Sequence, residues 1–190
     1  MLVLIHALDV PFNDVLDYYN SFTDKWNDLN CYAITKVEKG SNEYFEYINS
    51  SENNLYYLID DEKPNYIIGY GSIEDSFILN YHKDYFNAGN IGYGIRVNER
   101  NKGYGTILLK LLLEKCEVLG IKEVCVSCHK KNIASKKVII KNGGYFEKEF
   151  YDDWTNEIGL KFWIKTNPRL IDRGRRLINL SRKEWWNKWQ

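Results

Sequence analysis

A helix with almost no polar face is the strongest constraint on how this chain folds. Between Thr106 and Leu119, apolar residues occupy Ile107, Leu108, Leu109, Leu111, Leu112, Leu113 and Cys116, while Lys110, Glu114 and Glu117 mark a single exposed edge. A surface helix needs one apolar stripe; a helix this apolar must be covered on most sides. Gly120 follows and can supply a left-handed C-terminal cap. A strand over Ile91 to Val97 feeds the helix through Arg100-Asn101-Lys102-Gly103-Tyr104-Gly105.

The remaining elements surround this unit. Pro11 opens an amphipathic helix in which Phe12, Val15, Leu16, Tyr19, Phe22 and Trp26 recur at three- and four-residue steps. Cys31 to Val37 reads as a first strand, and Ser41 to Ile48 as a short helix with a Ser cap. Leu55–Ile59 and Tyr66–Ile73, separated by Asp60-Asp61-Glu62-Lys63-Pro64-Asn65, predict a hairpin. Asn87-Ala88-Gly89-Asn90 reads as a turn. A strand over Glu123 to Cys128, a helix over Ile133 to Lys141 ended by Asn142-Gly143-Gly144, and strands over Tyr145–Tyr151 and Leu160–Lys165 complete the order. Strands that first meander and then alternate with helices predict an α/β fold, a mixed sheet with helices on both faces.

The length of 190 residues suits one such domain, and 44% hydrophobic with 27% charged residues excludes a disordered chain. Met1-Leu2-Val3-Leu4-Ile5-His6 is apolar, but it lacks a basic flank and a cleavage site, and Asp9 interrupts it early. It is not read as a signal peptide. No stretch approaches the roughly 20 apolar residues of a membrane span, so a cytoplasmic protein without membrane contact is expected. Cys125 and Cys128 form a C-x-x-C inside a strand with no second ligand pair. They are read as small buried hydrophobes, with no metal. The net charge of zero divides unevenly: residues 1–90 hold 5 Lys+Arg against 15 Asp+Glu, and residues 91–190 hold 21 against 11.

The chemistry concentrates at Arg100-x-x-Gly103-x-Gly105. A chain leaving a strand to start a helix presents unpaired amides, and the helix dipole adds partial positive charge there. The glycines let an anion approach the backbone, and Arg100 and Lys102 add full charges, so the segment suits a phosphate or pyrophosphate. It is neither a G-x-x-x-x-G-K-[ST] loop nor the three-glycine dinucleotide fingerprint.

The run from Ile91 to Gly105, followed by Asn132-Ile133-Ala134-Ser135 and a helix ending at Gly143-Gly144, resembles the GNAT superfamily of N-acetyltransferases. The resemblance implies a mostly antiparallel mixed sheet of about seven strands over residues 1–166, acetyl-CoA as co-substrate, and an amine acceptor. By the same resemblance, the backbone of Tyr93, Gly94, Ile95 and Val97 would pair with the pantetheine arm. The amides of Arg100, Asn101, Lys102, Gly103, Tyr104, Gly105 and Thr106 would hold the pyrophosphate. Asn132 would bond the cofactor arm with Ser135 close by, although asparagine there also suits a plain helix N-cap.

One position departs from the pattern. The family often carries a tyrosine seven residues after that asparagine, donating a proton to the departing thiolate; this chain has Ile139. A thiol titrating near 8.5 is a tolerable leaving group without help, whereas the attacking amine must be neutral. Tyr93 and His82 are candidates for the general base, unranked. Two classes stay open: a transferase acting by direct attack, and a CoA-binding regulatory or interaction module.

The resemblance implies an acceptor site built largely from the N-terminal helices and the loops beyond the fourth strand; that is the acidic half here, which suggests a cationic amine on a small molecule or peptide. Residues 167–190 form a basic, Trp-rich extension. Such composition can touch nucleic acid or a membrane; the expectation is instead packing on the domain or on a second copy in a homodimer, without nucleic acid.

Overall fold

The computed structural model describes residues 1–22, 32–49, 54–74, 89–153 and 155–166, with the backbone alone at 32–35. The order is β1 (Leu2–His6), a 3-10 turn (Ala7–Asp9), α1 (Phe12–Asn20), α2 (Tyr32–Lys39), α3 (Ser41–Asn49), β2 (Asn54–Asp60) and β3 (Lys63–Ile73). Next come β4 (Ile91–Ile95), a second 3-10 turn (Val97–Glu99), α4 (Tyr104–Val118), β5 (Glu123–His129), α5 (Ile133–Lys141), β6 (Tyr145–Asp152) and β7 (Glu157–Lys165).

The strands form a four-stranded sheet, β1-β2-β3-β4, and a three-stranded sheet, β5-β7-β6, all neighbours antiparallel. Among the described residues, the sheets join through one bridge, Gly89 to Val126. Helices cover both faces. Val15, Tyr18 and Tyr19 of α1 and Tyr44 and Ile48 of α3 pack with Leu55, Tyr57 and Tyr70 on one side. Leu108, Leu109 and Leu112 of α4 and Ile139 of α5 pack with Leu58, Ile68, Val126 and Phe162 on the other.

The apolar central helix is buried as its composition requires, at Leu108, Leu109, Leu112 and Cys116. Its exposed edge differs in detail: Glu117 is buried and Ile107 is 38% exposed. Gly120 does take a left-handed conformation, φ +80°. In α1, Leu16 faces solvent while Tyr18 is buried, and Trp26 lies outside the described residues.

Strand assignment needs two corrections. Residues 32–39 are helical, not a strand, and Leu2–His6 is the strand that the apolar run was not read as. Tyr-Ala-Ile-Thr carries β-branched residues, but such propensity yields to tertiary packing. Val37 is buried against the α1–α3 cluster, and Lys36 and Lys39 reach Glu43 across the turn at Gly40, a helical arrangement. Leu2–His6 is a short apolar run because it is a strand packed from both sides, pairing in register with β2 from Leu2–Asp60 to His6–Tyr56. The total is seven strands, with β1 replacing the expected one.

Candidate active site

Where the two sheets meet, Asn90 serves as a clasp. Its N–H donates to the Cys125 carbonyl at 2.7 Å and its Oδ1 accepts the Cys125 N–H at 2.8 Å. Toward β3, its carbonyl accepts the Glu74 N–H at 2.7 Å and its Nδ2 donates to the Glu74 carbonyl at 3.2 Å. Gly89 precedes it at φ +91°, and a Cβ there would lie 2.6 Å from the Cys125 carbonyl oxygen. The side chain of Asn90 thus completes a join that backbone alone would make elsewhere. Beyond it, among the described residues, no ladder joins β4 to β5, and the gap between these two strands is the wedge between the sheets.

The edge of β4 that faces the wedge follows from its bonds to β3. Arg96 N–H donates to Ile68 at 2.8 Å, and Glu74 N–H to Asn90. Even-numbered residues therefore pair with β3, and the main-chain groups of Ile91, Tyr93 and Ile95 point away from it. Gly94 is on the paired side; its missing side chain makes room for the Tyr70 ring, which a Cβ would approach to 2.6 Å. Val97 is not on the strand. β4 ends at Ile95, because Arg96 turns inward, donating from Nε to the Ile67 carbonyl at 2.6 Å and from Nη2 to Asp17 at 3.0 Å. Its guanidinium also lies 4.4 Å from the centre of the Tyr66 ring and 5.3 Å from that of Tyr18.

The side chain of Tyr93 crosses to α5. Its hydroxyl lies 2.9 Å from Ser135 Oγ, and burial pushes the phenol up to about 12. A phenol held protonated in this way is a hydrogen-bond donor more readily than a proton acceptor. Cys128, at the end of β5, adjoins the same serine; burial raises its thiol, and its hydrogen bond with Ser135 partly offsets this. Asn132 is the N-cap of α5, its Oδ1 accepting the Ser135 N–H at 3.0 Å. Ile139 is wholly buried in the core.

Past β4 the chain reaches α4 through a loop without a capping side chain. Asn101 (φ +63°) and Gly103 (φ +87°) are both left-handed, and Gly103 is the N-cap. The first-turn amides of α4 have no preceding helical carbonyl to bond. Thr106 N–H reaches the Gly103 carbonyl at 3.0 Å, leaving the amides of Tyr104 and Gly105 at the open end. The two glycines have different reasons. Around Gly103 a Cβ would meet open space, so its dihedral is what requires glycine. A Cβ on Gly105 would lie 3.3 Å from Val138, so this position sets the approach of α4 to α5.

The cations are less free than the sequence suggests. Lys102 Nζ is 2.9 Å from Glu99. Arg100 Nε folds back on the Ile95 carbonyl at 3.2 Å, one of the outward-facing groups of β4, with its guanidinium near the Phe22 ring. Asn90 and Arg96 were not singled out in the sequence; both are polar residues flanking a strand and buried to within 5%, a signal invisible without their distant partners. His82 and the extension at 167–190 lie outside the described residues. Among the described residues, no group of His, Cys, Asp and Glu is arranged to hold a metal ion, and no helix is long and apolar enough to cross a membrane.

The family model described as acetyltransferase (GNAT) domain matches residues 13–144. Solved structures with similar folds include the spermidine/spermine N-acetyltransferase SpeG of Vibrio cholerae, solved in mutant forms, with TM-score 0.66 at 12% identity, covering 91% of this chain and 98% of that one. A GNAT-family acetyltransferase of Bacillus anthracis gives TM-score 0.61 at 15% identity, covering 87% and 95%. The yncA protein of Salmonella typhimurium, solved with its cofactor acetyl-CoA, gives 0.59 at 12%, covering 87% and 94%. No curated protein sequence matches significantly.

Proposed function

This chain belongs to the GNAT family of acetyltransferases, with acetyl-CoA as co-substrate, and we propose that it acetylates a primary amine on a cationic small molecule or peptide. The observation that carries the site assignment is a continuous path. The outward edge of β4 at Tyr93 and Ile95 runs along an open wedge and ends at the uncapped start of α4. Strand-edge amides suit an extended amide-bearing arm, and first-turn amides suit a pyrophosphate.

In this reading, the main-chain groups of Tyr93 and Ile95 hold the pantetheine arm. The amides of the Arg100–Thr106 loop, chiefly Gly103, Tyr104 and Gly105, hold the pyrophosphate. Asn132 keeps its Nδ2 for the arm while its Oδ1 caps α5. Gly94 and Val97 drop out as direct edge partners and act by shaping β4 and its end. Acetyl-CoA supplies an activated acyl group. In the same reading an outward-facing amide of β4 donates to the acyl oxygen as charge develops there. Residues 1–166 form the catalytic unit, and residues 167–190 an extension to it.

The acceptor class rests on charge. The N-terminal half carries the acidic excess and the C-terminal half the basic one, so a polyphosphorylated donor and a cationic acceptor are steered to different sides. Initial rates with a panel of polyamines, amino sugars, lysine peptides and neutral amines test this. Cationic acceptors are expected to give the higher kcat/KM, with the advantage shrinking as salt rises. A preference for neutral or acidic acceptors at low salt overturns it.

A further inference from the structure

Breaking the C–S bond of a thioester leaves a negative sulfur, and a buried site must offer that charge a donor or incur its desolvation. Around the wedge, the described side chains supply few donors. Ile139 is apolar and sealed in the core. The Ser135 amide is already engaged by Asn132. Cys128 is a weak donor held against Ser135. The hydroxyl pair of Tyr93 and Ser135 links β4 to the first turn of α5 at 2.9 Å, and the Tyr93 proton has only a long 3.5 Å contact to the Ser135 carbonyl to give up for a sulfur.

We propose that the Tyr93 hydroxyl donates a hydrogen bond to the departing sulfur during acetyl transfer, with Ser135 donating in turn to the Tyr93 oxygen. The inference rests on the acetyl-CoA reading of the wedge given above. The geometry favours Tyr93 over Ser135 as the direct donor. Its own main-chain groups lie on the outward edge that aligns the donor substrate, so the phenol projects from the strand that fixes the reacting carbonyl. A relay of two hydroxyls also strengthens the terminal donor by polarisation.

The chemistry balances without a proton leaving the tyrosine. The lone pair of the amine forms the C–N bond, the C–S bond breaks with its pair on sulfur, and the spare proton on nitrogen passes to water. A phenol raised to about 12 does not yield its proton to a thiolate whose conjugate acid titrates near 8.5. Tyr93 therefore remains a neutral donor across the working pH range and acts by hydrogen bonding alone.

The test is the ionisation of bound coenzyme A, followed by the ultraviolet absorbance of its thiolate, together with steady-state kinetics. In Tyr93→Phe, which keeps the ring's packing, CoA affinity measured by calorimetry should stay within a few-fold of wild type. The bound thiol pKa should rise by about one unit or more, and kcat should fall about ten- to a hundredfold, the range for a hydrogen bond to a charged group. Ser135→Ala should shift both in the same direction by less. An unchanged thiol pKa and kcat in Tyr93→Phe overturns the proposal, as does loss of CoA binding in that variant, which would make the Tyr93 hydroxyl, and not its main chain alone, a binding group. Failure of the wild-type protein to bind CoA overturns the acetyl-CoA reading itself, and this inference with it.

Discussion

Asn90 and Cys125 exchange two hydrogen bonds at 2.7 and 2.8 Å, one through the asparagine's backbone and one through its side chain. This pair fixes the root of the wedge, because β4 and β5 part immediately beyond it. Asn90→Ala leaves the buried Cys125 N–H and the Glu74 carbonyl without their partners. Each loss costs about 1–3 kcal/mol, so a clear drop in Tm is expected. The KM for acetyl-CoA should rise as well, since the wedge loses its set angle. A variant as stable as wild type with unchanged KM would show that the side chain is dispensable. Gly89→Ala should be at least as damaging, as its Cβ would sit within 3.0 Å of backbone.

The glycines of the anion loop separate two physical roles. Gly103→Ala meets no neighbour but must hold φ +87°, at a cost of about 1–2 kcal/mol for an L-residue. The protein should fold, with a lower Tm and weaker affinity for CoA. Gly105→Ala has no such dihedral and meets Val138 at 3.3 Å and Ile95 at 3.8 Å, both side chains, while gaining helix propensity at an N-terminal turn. Its stability should stay within about 1 kcal/mol of wild type. Thermal melts with and without CoA distinguish the two; equal losses would refute the division of roles.

Much of this site could be read from local sequence, and the rest depends on distant partners. The limits of α5, the left-handed cap at Gly120 and the strand before Arg100 follow from neighbours a few residues away. Asn90 is bonded to residues 16 and 35 positions distant, and Arg96 to Asp17, 79 positions away. Val97 looks like a strand residue because Ile95, Arg96 and Val97 alternate plausibly; only the inward turn of Arg96 ends the strand. The exchange of β1 for the segment at 32–39 has the same origin. An isolated apolar pentapeptide declares its strand only through its pairing with β2.

Arg96 and Asp17 show how an ion pair with unequal burial should respond to mutation. The Arg96 side chain is 6% exposed and that of Asp17 65%. The carboxylate is largely solvated, so Asp17→Asn should cost no more than about 1 kcal/mol. Arg96→Met removes the bond to the Ile67 carbonyl and the stacking on Tyr66 and Tyr18, and leaves that carbonyl buried. A loss of about 2–4 kcal/mol is expected, along with weaker CoA binding as the turn before the anion loop loosens. Chemical denaturation of both variants checks the asymmetry; comparable losses would mean the pair, not the arginine's packing, holds the turn.

Alkaline pH should erode stability through the buried thiols. Burial pushes Cys116 up to about 12 and Cys125 up to about 11 from an ordinary value of 9.0. Below pH 9 both states carry the protons and nothing changes. Above it the unfolded chain releases them while the folded chain does not, so the unfolded state binds fewer protons and stability falls as pH rises. Each thiol contributes a slope of about 1.4 kcal/mol per pH unit, ending near 11 for Cys125 and near 12 for Cys116. Urea unfolding at intervals from about pH 8 to 10.5 measures the slope directly. Cys125→Ala should be less stable than wild type at pH 8 and should lose stability less steeply above pH 9. Parallel curves would show that Cys125 ionises in the folded protein as readily as in the unfolded one, against its 2% exposure and its place beside the Asn90 clasp.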